Sequence, residues 1–167
     1  MTIRHHPDDA TLVAYAAGAV TEGISLVVAA HLELCAQCRA RVRDATDLGG
    51  ALLAGLDPAP LTEGALAAVL ARADASPERA SAPHSRPRAV DGLPATLAPW
   101  FPAGLDRVPW RSLVPGIRHF RFPGVGSGGG TVRLLAIAPG PALPHHGHGG
   151  TELTLVEERE RRRIAAE

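Results

Sequence analysis

The stretch HLELCAQC, residues 31–38, holds both cysteines of the 167-residue chain and places a histidine four residues before the first of them. Read as a helix, steps of 100° put His31 and Cys35 one turn apart and Cys38 nearly above His31 after two turns. The three side chains then leave one narrow face. Imidazole and thiolate are the ligand types zinc takes in a tetrahedral site of four. Three protein ligands leave one position open, and a fourth closes the site. His5 and His6, just ahead of the first expected helix, are the candidates for that fourth. The plainer reading makes the cysteines buried fillers and His31 a polar residue at a helix boundary. Three ligands at i, i+4 and i+7, with no other cysteine in the chain, weigh against it. A redox C-x-x-C belongs at a strand-to-helix turn, and no strand precedes this one. A DNA-reading zinc finger has its cysteines first and its histidines after, on a basic helix. Here the order is reversed.

The surrounding composition supports a small regulator rather than a nucleic-acid binder. The formal net charge is zero, so the cation excess needed to neutralise phosphates is missing. The zero hides an asymmetry: residues 1–75 carry five arginines against nine carboxylates, net −4, and the remainder carries the compensating +4. An acidic front half suits a basic protein partner. There is no lysine. The N-terminal MTIRHHPDD is not followed by a signal-peptide apolar region. The most apolar run, ISLVVAAHLEL (24–34), is too short to span a bilayer and contains His31 and Glu33. A cytoplasmic location without a membrane partner is expected. In that compartment a C-x-x-C pair is metal-binding or redox-active more often than a disulfide.

Four helices are expected in residues 1–75. Pro7, Asp8 and Asp9 start the first, which stops at Gly18. Thr21 caps the second, whose apolar side is Leu26, Val27, Ala30, Leu34 and Cys35. A third follows the cysteines until the glycine pair 49–50, and a fourth runs from Leu61 to about Ala73. A unit this small calls for a staple. SPERASAPHSRPRAVDGLP (76–94) has no apolar periodicity and reads as a linker. The 18 glycines and 15 prolines of the chain suit such a connection between compact parts. Beyond it, RSLVPGIRHFRFPG (111–124), GTVRLLAIAPG (130–140) and TELTLV (151–156) read as short strands of a sandwich or barrel. PGVGSGGG (123–130) lacks a following lysine-bearing helix, so it is a hairpin connection and not a P-loop. Trp100, Phe101 and Trp110 are expected to pack on the strands, and His84 and His119 to be surface or edge residues. In VEERERRRIAAE (156–167) eight of twelve residues are charged, which reads as a solvated tail.

RHHPDDATLVAYAAGAVTEGISLVVAAHLELCAQCRARV (4–42), with its H-x3-C-x2-C and a histidine near the N-terminus, closely resembles the zinc-binding anti-sigma factors of the ChrR type. Those proteins join a helical zinc domain to a C-terminal cupin. The resemblance implies that His6, His31, Cys35 and Cys38 hold Zn2+. It implies a binding protein, not an enzyme, that clasps an ECF-type (group IV) sigma factor as a 1:1 heterodimer and keeps it from RNA polymerase without touching DNA. It further implies control by oxidative stress, singlet oxygen in particular. Exposed apolar helix faces, rather than a pocket, are expected to make the contact, and inhibition is expected to reside in residues 1–75.

A second constellation lies in GPALPHHGHGGTE (140–152). On a strand His146 and His148 share a face, and Glu152 can join them across a turn. Two histidines and a carboxylate form a facial metal set, so a second divalent metal is a candidate there. The spacing also matches the first motif of the cupin family. After TELTLV a cupin continues with further strands and another histidine ligand, whereas this sequence turns to charge. The barrel is therefore expected to be incomplete, by truncation or an altered reading frame, and the response to the inducing signal to be weak. A rival from another class is a metal-dependent cupin enzyme, such as a dioxygenase, built on His146, His148 and Glu152. The expected fold class is α+β: an all-α helical zinc domain (1–75), a linker (76–94), a partial cupin-like antiparallel β barrel (95–156) and a charged tail (157–167).

Overall fold

In the computed structural model of the chain, residues 3–75, 93–126, 130–140, 149–157 and 162–166 are described, with 157 and 162–166 described by their backbone alone. Helix α1 spans Asp9–Ala16. Its N-cap Asp8 accepts the Thr11 N–H at 2.7 Å, and that bond holds the Asp8 carboxyl below its ordinary value. At the other end Gly18 adopts φ 67°. The Ala19 N–H then reaches the Ala14 carbonyl and the Gly18 N–H that of Tyr15, a Schellman stop that a Cβ would strain. Thr21 caps α2 (Glu22–Leu34) through the Ile24 N–H.

The segment from His31 to Cys38 is not one continuous helix. Cys35 leaves the helical region, with φ −114° and ψ 105°, and caps α3 (Ala36–Ala54) by accepting the Cys38 N–H on its sulfur. The Arg39 guanidinium turns back and donates to the Leu32 carbonyl at 2.5 Å and the Glu33 carbonyl at 3.1 Å. It thereby satisfies carbonyls that the end of α2 leaves open. Helix α3 also runs through the glycine pair expected to stop it, reaching Ala54. Two interior glycines cost about 1 kcal/mol each relative to alanine. The flanking Leu48, Ala51, Leu52 and Leu53 are strong helix formers, and the helix stops only before Gly55 and Pro58. Helix α4 spans Ala65–Ala75 and carries no buried residue.

The second half is one antiparallel sheet preceded by two short 3-10 helices, Ala95–Trp100 and Leu105–Arg107. Its strands are β1 (Arg111–Val114), β2 (Ile117–Arg121), β3 (Val132–Ile137), β4 (Leu153–Glu157) and β5 (Arg162–Ala166), in the order β1-β2-β3-β5-β4. The fold class is α+β. The tail reading needs correction: residues 162–166 are not solvated coil but a strand between β3 and β4, with Ile164 opposite Leu134 on one side and Leu155 on the other. Charge hid it. The run RRIAA joins the sheet through backbone N–H and C=O groups, which two neighbouring strands satisfy at once.

A single apolar cluster joins the two halves. Leu12, Val28 and Cys38 belong to it together with Leu93, Leu97, Phe101, Phe122, Val132 and Leu134. Leu93, expected in the linker, is 1% exposed. It is an apolar anchor that the surrounding Pro, Ser and Arg composition obscured. Trp100, Phe101, Phe120 and Phe122 meet edge to face at 5.4–5.7 Å between ring centres, as expected of aromatics packing on the strands. Phe122→Ala is expected to cost about 3–5 kcal/mol in urea unfolding. Because the core is shared, helix content and Trp100/Trp110 fluorescence should be lost in one coincident transition.

Candidate metal centre

The cap switch at Cys35 builds the site. Helix α2 delivers His31 from its last turn, Cys35 sits at the corner, and α3 delivers Cys38 from its first turn. The extended segment before α1 brings His6 over them. His31 Nε2 lies 3.2 Å from Cys38 Sγ. His6 Nδ1 lies 3.4 Å from Cys35 Sγ and 3.3 Å from Cys38 Sγ. The four ligand atoms all fall within 4.8 Å of one another. A tetrahedron drawn with Zn–S of about 2.3 Å and Zn–N of about 2.0–2.1 Å has edges of roughly 3.3–3.8 Å, so the set fits zinc in size and in donor type. The two imidazole planes stand at 89°. His5, the other candidate for the fourth position, is exposed and outside the cluster.

Protonation also bears on metal binding. His31, Cys35 and Cys38 are buried, Cys38 completely. Burial pushes the His31 imidazole below its ordinary value, and neighbouring His6 adds to this. A neutral imidazole is the ligand form. Burial, with Cys35 beside it, pushes the Cys38 thiol up to about 11. Binding a metal must then displace a proton, and two thiolates would neutralise Zn2+ within the buried site. A metal ion held by all four groups would have its tetrahedral positions filled and would tie the end of α2 to the start of α3.

The surrounding shell includes groups that the sequence reading did not assign. Arg39 holds the end of α2, as described above. Glu33, between His31 and Cys35, reaches the 3-10 helix Ala95–Trp100. Its carboxylate accepts the Ala95 and Thr96 N–H groups, each at 2.6 Å, and the Thr96 hydroxyl. Outside that shell, at the opposite end of α2, Glu22 accepts the Gly126 N–H at 3.2 Å. Arg39, one residue after a cysteine at a helix junction, could have been found as a C-terminal cap. Glu33 could not, because its partners lie 62 and 63 residues away.

Of the second constellation, His146 and His148 lie outside the described residues, as does His84. Glu152 is half-buried just before β4, where the Thr154 hydroxyl donates to it at 3.4 Å. His119, expected as a surface or edge residue, is half-buried on β2, and its Nδ1 has no hydrogen-bond partner among the described residues. No helix among the described residues is long and apolar enough to cross a membrane.

A buried His2Cys2 cluster at a helix junction, carried on an α+β frame, defines a protein with a candidate structural metal centre. No established family profile matches the sequence. The chain is 48% identical over 158 residues to the anti-sigma-E factor ChrR of Cereibacter sphaeroides, an alignment covering 93% of this chain and 71% of that protein. Its fold matches a chain of the crystal structure of Rhodobacter sphaeroides SigE in complex with the anti-sigma ChrR. That match has a TM-score of 0.74 and 39% identity, and covers 99% of this chain and 98% of the other. The protein belongs to the ChrR family of anti-sigma factors.

Proposed function

We propose that this chain binds and sequesters a sigma factor of the ECF type, as a 1:1 complex in the cytoplasm and without direct DNA contact. The observation that carries this reading, beyond family membership, is an apolar surface left open on the helices. Leu48, Leu52, Leu53 and Leu56 line the end of α3 and the turn beyond it, and Leu66, Val69 and Leu70 recur at helical spacing on α4. All seven are more than half exposed. Apolar faces of this kind on acidic helical segments suit a basic protein partner with an apolar groove. On this reading Zn2+ held by His6, His31, Cys35 and Cys38 supplies a structural cross-link that fixes α2 against α3.

The test is co-expression with the sigma factor encoded nearby. A stable complex, and inhibition of transcription by the sigma-loaded polymerase, are expected. No complex at micromolar concentrations overturns the reading. We also propose, on the family resemblance, that an oxidative signal such as singlet oxygen relieves the inhibition. A sigma-dependent reporter under light and a photosensitiser should rise, but only weakly beside that of a relative with a complete cupin barrel; strong induction overturns the weak response expected of an incomplete barrel, and a flat reporter removes that signal.

A further inference from the structure

We propose that Glu33 is a positioning residue of the metal centre, coupling metal occupancy to the docking of the β half on α2. The inference rests on the zinc reading above. Glu33 lies two residues from each of two candidate ligands, His31 and Cys35, at the point where α2 ends. Its carboxylate caps the 3-10 helix Ala95–Trp100 from a distance. The local N-cap position is Pro94, which has no side-chain acceptor, and no side-chain cap bond is made there. The open N–H groups of Ala95 and Thr96 are satisfied by Glu33 instead.

The same turn is therefore gripped from two sides. Arg39 holds the Leu32 and Glu33 carbonyls from within, and the Ala95–Thr96 backbone holds the Glu33 side chain from the β half. The register of His31 against Cys35 and Cys38 depends on where α2 stops, and both grips fix that point. Groups that orient metal ligands at one remove change metal affinity by about 10–100-fold when lost. Coupling of this kind is reciprocal: whatever docking adds to metal binding, metal binding adds to docking. Glu22 provides an internal comparison. It ties the same helix to the same half through Gly126, yet stands at the end of α2 remote from the ligands.

The experiment uses the full zinc-loaded chain. Zinc release into a chromogenic chelator is timed for the wild type, Glu33→Gln and Glu22→Gln. Release about tenfold faster is expected for Glu33→Gln, and release near the wild-type rate for Glu22→Gln. In parallel, amide exchange at Ala95 and Thr96 is followed in the wild type before and after chelation, and it should speed up when zinc leaves. Equal release from wild type and Glu33→Gln overturns the proposal. So does equal acceleration by both variants, because the effect would then be general loss of docking. Unchanged exchange at Ala95 and Thr96 after chelation overturns it without relying on any variant. A wild-type chain that takes up no zinc overturns the metal reading, and the positioning role with it.

Discussion

Cys38→Ser is expected to abolish zinc binding and to lower stability by on the order of 5 kcal/mol, a part of the roughly 10–16 kcal/mol with which N/S sites of zinc-finger peptides hold the metal. Cys38 is completely buried and meets both imidazoles, His31 at 3.2 Å and His6 at 3.3 Å. Serine there offers a poor ligand and leaves a hydroxyl in an apolar cluster that also contains Leu12 and Val28. The loss is cooperative, since ligands that fold brings together are dispersed in the unfolded chain. Elemental analysis should find one zinc per wild-type chain and close to none in the variant, and urea unfolding should report the stability difference. Replacing exposed His5 by alanine should change neither quantity. A Cys38→Ser protein that retains a full equivalent of zinc would remove the metal centre from this account.

Leu52→Asp combined with Leu53→Asp is expected to weaken sigma-factor binding at least about 100-fold, equivalent to roughly 2.7 kcal/mol. These side chains are 68% and 70% exposed, so the isolated protein has little packing to lose. Surface changes of that kind usually stay within about 0.5 kcal/mol in stability. In a complex the same positions would be buried, and carboxylates placed against an apolar groove are costly to desolvate. Calorimetric titration against the sigma factor, with thermal unfolding of the free chain as control, separates the two effects. Unchanged affinity would move the docking surface away from the end of α3.

Local chemistry made much of the helical half legible. Asp8 and Thr21 announced helix starts, and Gly18 announced a stop, because each cap bonds within three to five residues of itself. Three residues of the metal cluster, His31, Cys35 and Cys38, were legible because donor type and spacing narrow the choice sharply; the choice of His6 over His5 came from the family resemblance. The break at Cys35 was not. A straight helix from His31 to Cys38 satisfies the same periodicity, and the choice of a corner depends on the Cys35 sulfur taking the Cys38 N–H and on Arg39 closing the helix end. Glu33 was hidden by sequence distance. Leu93 was hidden by the polar run around it, and β5 by charge, since its pairing is made by backbone groups that composition does not report.

The placement of β5 sets an order of assembly. Among the described residues, β4 pairs with β5 and with no other strand, although it is synthesised first. A nascent chain that has reached Glu157 can pair β1, β2 and β3, but its β3 ends in an open row of unpaired N–H and C=O groups, an edge prone to capturing another extended segment. Only when residues 162–166 leave the ribosome can that edge be covered and β4 be recruited. Helices α1, α2 and α3, with all four candidate ligands among or just before them, are complete long before then. All four candidate ligands are thus synthesised well before the strand that joins β4 to the sheet.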